Sequence, residues 1–142
     1  MNANKLSLNS GKTEYMIIGS PKSIMKVDND PLISLFNNSI QRVKVTKSIG
    51  LMIDEALAWI EQVNLIASKV NKSLNAFKRL RTFVDLKILK LVYKTLIQPY
   101  FDYCSQVCGC LGITLCNKLQ RLQNRAVRIL LNVDANLDLP IY

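Results

Sequence analysis

The sequence predicts an α+β fold in which small antiparallel strands and hairpins precede a helical bundle. Three observations carry it. Up to Asp54 the apolar residues come in short β-branched or aromatic runs punctuated by Gly, Pro, Asn and Ser. From Leu57 they recur at steps of three and four residues, the helical period. The change happens without a Gly-, Pro- or Ser-rich linker, a low-complexity tract or an internal repeat, so one compact unit is expected. Its parts are residues 1–56, 57–133 and a tail, 134–142. A chain of 142 residues, 49% of them hydrophobic, is long and apolar enough to bury a core, which argues against disorder.

Taken in order, Ser10 and Gly11 supply a turn and Thr13 to Ile18 has the composition of a strand, ended by Gly19, Ser20 and Pro21. Asp28, Asn29, Asp30 and Pro31 read as a solvated turn; two carboxylates with no third ligand nearby are a poor metal site. Leu32 to Phe36 and Ile40 to Val45 are strand candidates joined by Asn37, Asn38 and Ser39, a hairpin composition. Ser48 to Ile53 is a further extended run in which Gly50 marks a bend or a close backbone approach.

The helical half opens with Leu57 to Leu80, where Trp59, Val63, Ile66, Val70, Leu74 and Phe77 form the core stripe and Lys72 and Arg79 fall opposite. Asp85 is placed to cap the next helix, and Pro99, which lacks a donor and restricts Gln98, is expected to stop it. On that helix Ile88, Leu89, Val92, Tyr93, Leu96 and Ile97 leave Lys87, Lys90 and Lys94 only a narrow polar strip, so neighbours are required on two sides. The last helix, Leu115 to Leu131, buries Leu115, Leu119, Leu122, Ala126 and Ile129. Its Lys118, Arg121, Arg125 and Arg128 repeat at steps of three, four and three on the adjoining face.

The formal charge is +9, and from Lys69 to Arg128 twelve bases stand against Asp85 and Asp102. That concentration points to a polyanion, and to nucleic acid rather than lipid, because the bases sit on helices with well-formed core faces. No segment reads as a signal peptide or a membrane span, and an intracellular protein is expected. The chain has no histidine, no phosphate-cradling glycine pattern and no Asp-Asp pair on which a two-metal site could stand. Its residue chemistry is that of a binding domain. Cys104, Cys108, Cys110 and Cys116 are separated by three, one and five residues, unlike paired C-x-x-C knuckles, so buried thiols are favoured over a zinc interaction module.

Five stretches together resemble one family. They are Asn4 to Gly19 (NKLSLNSGKTEYMIIG), Lys47 to Asp54 (KSIGLMID), Trp59, Tyr93 to Cys104 (YKTLIQPYFDYC) and Leu122 to Ala126 (LQNRA). In this order they are similar to the reverse transcriptase of non-LTR retrotransposons, of the LINE type and jockey-like, over about residues 6–133. The resemblance implies the end of a polymerase palm followed by the thumb. The family's fingers and catalytic aspartates, with the aromatic-x-Asp-Asp motif, come earlier in the polypeptide, and no such motif occurs here. By this resemblance Lys12 is a candidate general acid toward the leaving pyrophosphate, only within an intact polymerase. Lys47 and Gly50 fall on the primer-grip segment, and Lys72, Arg79, Lys118, Arg121, Arg125 and Arg128 would follow the backbone of an RNA template and DNA primer.

Mg²⁺ is implied for the intact polymerase and no cofactor for this part, whose partners would be the RNA/DNA duplex and the upstream fingers and palm, with no membrane. Two residues depart from the family: Cys108, where tryptophan is usual, and Gln62, where histidine is common. Both suggest drift, as in a truncated or decayed copy. The function expected is thus template–primer binding within an RNA-directed DNA polymerase, inactive alone; the alternative is a free-standing, non-catalytic basic helical module.

Overall fold

The computed structural model describes residues 9–27, 31–108 and 111–132. It is mixed α+β and divides into two units, residues 1–58 and 59–142, rather than the one unit expected.

The first unit is built from pairs of short strands. After a 3-10 turn at Ser10–Lys12, β1 (Glu14–Tyr15) precedes α1 (Pro21–Ile24), a single turn that the Ser-Pro pair starts: the Ser20 hydroxyl accepts from the Ser23 amide and Pro21 holds the first helical position. The strands β2 (Ser34–Leu35) and β3 (Asn38–Ser39) form a hairpin, β4 (Gln41–Arg42) follows, and β5 (Val45–Ser48) and β6 (Leu51–Asp54) form a second hairpin.

Three strand expectations are corrected. The first hairpin turns on Phe36 and Asn37, both at positive φ (49° and 64°), not on Asn37 to Ser39. The run Ile40 to Val45 is broken, and β4 pairs in parallel with β1, so the strands are not all antiparallel. The run Ser48 to Ile53 folds back on itself at Ile49 and Gly50, whose φ of 49° and 82° make the mirror-image turn that matches strand twist. Gly50 is therefore the bend its composition suggested. None of the three pairings carries a buried residue. They are held instead by polar bonds: Arg42 to Glu55 at 3.1 Å, the Tyr15 hydroxyl donating to the Pro31 carbonyl at 2.9 Å, and Asp54 Oδ1 accepting from the Ala56 and Ala58 amides.

The buried core among the described residues lies wholly in the second unit. Helix α2 (Ile60–Leu80) contributes Val63, Ile66, Ala67, Val70, Leu74 and Phe77. It starts three residues after Leu57 because Trp59 stands at its N-cap in the left-handed conformation (φ 61°), which leaves the indole half-buried at the helix entrance.

Asp85 caps α3 (Leu86–Val92) as its position predicts, accepting from the Ile88 amide at 2.8 Å. Pro99 does not stop the helix. A π-helical turn at Tyr93–Ile97 is followed directly by α4 (Gln98–Cys108), with Pro99 second in α4. The widened turn explains the tolerance: the Gln98 amide bonds back five residues to the Tyr93 carbonyl, and proline enters where the register has already shifted. The Thr95 hydroxyl donates to the Leu91 and Val92 carbonyls at 3.0 and 3.3 Å, satisfying acceptors near the displaced ladder.

Helix α5 (Ile113–Leu131) buries Leu119, Leu122 and Ala126, with Leu115 and Ile129 half-buried, and ends on Asn132 in the left-handed conformation. Both α2 and α5 carry an apolar seam at alternating steps of four and three: Val63, Ala67, Val70, Leu74 and Phe77, against Leu115, Leu119, Leu122, Ala126 and Ile129. Asn64 meets Lys118 and Asn71 meets Arg125, so the two helices run parallel. The chain between them, through α3 and α4, returns in the opposite direction, an up-down-up arrangement of three helices.

The α3 segment packs against both α2 and α5, the two neighbours its apolar width required, yet part of its apolar surface stays open. Leu89 and Ile97 are buried, whereas Ile88, Leu91 and Leu96 are 49%, 61% and 58% exposed. Among the described residues no helix is long and apolar enough to cross a membrane.

Candidate nucleic-acid interface

The α2–α5 seam decides where the bases of the last helix stand. Five seam positions of α5 occupy one face, and at about 100° per residue Lys118 and Arg125 flank it on the side toward α2, with Arg121 and Arg128 further out. Lys118, Arg121 and Arg125 are exposed and Arg128 is half-buried.

Two of the four are held by amides of α2. Lys118 Nζ donates to Asn64 Oδ1 at 2.7 Å, and Arg125 donates to Asn71 Oδ1 through Nη1 at 2.9 Å and to Asn75 Oδ1 through Nη2 at 3.4 Å. The two contacts repeat at seven residues on both helices, a spacing of about 10 Å along the axis at 1.5 Å per residue. These asparagines were not foreseen from the sequence. The signal that could have found them is the shared seven-residue step, Asn64 to Asn71 against Lys118 to Arg125, on two helices with the same four-three seam.

Amide partners differ from carboxylates in one respect: they orient a base without cancelling its charge. Both bases therefore remain net cations on the surface. The side chains of Arg121, Lys72 and Arg79 are exposed and make no ion pair or hydrogen bond with another described residue. On α2, Lys72 and Arg79 lie beyond the asparagine strip on the outward face, and the stem of Lys72 lines an apolar groove with Ala76, Phe77 and Leu96. The structure thus gathers Lys118 and Arg125 on one edge with three amides, with Arg121 next to them on α5, and leaves Lys72 and Arg79 on the outward face of α2, away from that edge.

The remaining candidates lie in the first unit. Lys12 is exposed at the end of the 3-10 turn, its amide bonded to the Asn9 carbonyl at 3.1 Å. Lys47 is exposed on β5 opposite Met52, and Gly50 closes the β5–β6 turn. Lys47 and Gly50 are thus brought to one hairpin, and Lys12 lies on a different element, the 3-10 turn.

Gln62, buried at 2% exposure, sits in the first turn of α2 beside the first seam residue. Lys69 lies with its ammonium 5.8 Å from the centre of the Tyr100 ring, a cation–π contact that holds it against α4. Cys116 is half-buried, its thiol 3.8 Å from the Leu111 carbonyl. The side chains of Cys104 and Cys108, the whole of Cys110, the Asp28 to Asp30 turn and the tail fall outside the described residues, and so does the question of a zinc site among the four thiols. Among the described residues no group of three or more potential ligands is placed to hold a metal ion.

The chain matches no known protein family, no curated protein and no solved structure.

Proposed function

We propose that this chain contributes template–primer binding to an RNA-directed DNA polymerase of the non-LTR retrotransposon kind. In that reading residues 1–58 are the end of a palm and residues 59–132 a helical thumb. The observation that carries it is the α5 edge, where Lys118 and Arg125 are held by amides, not carboxylates, and Arg121 stands exposed next to them on the same helix. A face of that kind suits a phosphate backbone, which rewards fixed cations and is indifferent to base sequence. The ordered motifs from Asn4 to Ala126 supply the polymerase part of the reading, and the absence of any Asp-Asp pair from the sequence makes the chain incomplete as a catalyst.

Lys12 is then a general acid only when an upstream palm brings two Mg²⁺ ions and the triphosphate to it, and Lys47 with Gly50 would meet the primer strand. The purified chain, given Mg²⁺, deoxynucleotides and an RNA template with a DNA primer, is expected to bind the duplex and to extend nothing. Primer extension by the chain alone would contradict the assignment.

A second reading is favoured by the same edge without the motifs: a free-standing basic module that binds nucleic acid and has no polymerase partner. Comparable affinity for double-stranded DNA, double-stranded RNA and the hybrid, with no gain in activity when an upstream palm is added, would select it.

A further inference from the structure

The three asparagines on α2 pose a question that the charge count alone does not. Bases flanking a helix seam are commonly opposite Glu or Asp, which stabilise the pair by ionic attraction. Here the positions facing Lys118 and Arg125 are Asn64, Asn71 and Asn75, and all three carbonyl oxygens are turned to the bases.

For stability this is the weaker choice. Exposed bonds of this kind compete with water and contribute little. For binding a polyanion it is the better one, because the bases lose side-chain freedom in the free protein while keeping their full charge. Each asparagine also retains its NH₂ donors, since only the carbonyl oxygen is engaged. The two rungs lie about 10 Å apart along the helices. A single phosphate cannot touch both, whereas a polymer with a charge at every step can.

We infer that Asn64, Asn71 and Asn75 are positioning residues of a phosphate-backbone site along the α2–α5 edge, holding Lys118 and Arg125 by neutral bonds so that both cations face different phosphates of one strand. The inference rests on the nucleic-acid-binding reading above but not on the polymerase part of it.

The test compares three forms of the full chain for binding to an RNA/DNA hybrid across a salt series, with thermal melting of each. In Asn64→Asp with Asn71→Asp, the shape is kept and each base gains an anion. The double variant should melt no lower than the parent, bind at least ten-fold more weakly, and lose about two units of the slope of log K against log salt, at roughly 0.9 unit per phosphate contact. Asn64→Ala with Asn71→Ala leaves the charges and removes the positioning. It should bind a few-fold more weakly with the slope unchanged. The matched control, Lys87→Gln with Lys90→Gln, removes two charges from the α3 face and should leave most of the slope in place.

An Asp variant that keeps the parental slope would overturn the inference, and so would a control that loses as much slope as the Asp variant. Alanine replacements without any loss of affinity would remove the positioning role. Failure of the parent chain to bind any nucleic acid would instead reject the binding reading itself, so the two failures are distinguishable.

Discussion

Tyr93 shows how much a single side chain records of its surroundings. Its ring meets Phe77 at 6.4 Å, tilted by 47°, at the junction of α2 with the π turn. Burial first, and the Asp102 carboxylate second, push its phenol above the ordinary value. A group whose pKa is raised by folding stabilises the protein while it is protonated. That contribution is complete below the usual phenol pKa of about 10 and is lost as pH rises from there through the folded value. Urea unfolding midpoints measured between pH 8 and 11 should fall more steeply for the parent than for Tyr93→Phe, which keeps the ring; superimposable profiles would refute the assignment.

Asp85 is a second residue with a readable role. Removing the cap as Asp85→Ala should lower stability by about 1 kcal/mol, seen as a reduced urea midpoint at constant slope. That role was legible in the sequence because a cap depends on one residue and its own next turn. The amides of α2 were not, since an asparagine facing a lysine 54 positions away leaves no local mark.

Among the elements, the long helix from Leu86 to Cys108 departs furthest from its sequence pattern. Proline in a helix is costly when it removes a bond and strikes the carbonyl four residues back. The π turn before it moves that carbonyl away, a rearrangement that depends on the packing of Leu89, Ile97 and Phe101 on the core and is not visible in residue propensities. The core stripes of α2 and α5 were legible because periodicity over about twenty residues is a strong signal, and truncating one should be severe. Leu74→Ala, at a fully buried position, should lose about 2–5 kcal/mol, read from the same unfolding curves.

Strand boundaries were the least legible elements. The β5–β6 turn places Ile49, a β-branched residue, at a positive φ that such side chains rarely adopt. No turn composition announces it. Ile49→Asn would create the Asn-Gly pair that this turn geometry prefers, and should stabilise the hairpin by about 1 kcal/mol, measurable as slower amide exchange across β5 and β6. Unchanged exchange would mean that the backbone there carries no strain.

At the scale of the whole molecule, hydrophobic burial and most of the positive charge fall in the same unit. The strand unit has no buried residue among those described and relies on turns, Asp54 and the Arg42–Glu55 pair, whereas the helical unit has both the core and most of the bases. Composition alone made the basic half legible, and the change of period located its start near the division after Ala58. What neither could supply was which bases share an edge, because that depends on how two helices are rotated against each other. A strand unit with so little interior fits a palm remnant whose other strands belong to an upstream segment, as proposed above. Adding such a segment in trans should protect the amides of β1 and β4 from exchange if that is so.

The most direct measurement is the affinity of the chain for an RNA/DNA hybrid as a function of salt, for the parent and for Arg121, Arg125 and Arg128 replaced together by Ala. The account predicts a steep linear fall of log K with log salt for the parent, roughly 3 to 5 in slope for a few phosphates neutralised, and a shallower slope and weaker binding for the triple variant. Binding that ignores salt, or a triple variant that binds like the parent, would contradict it.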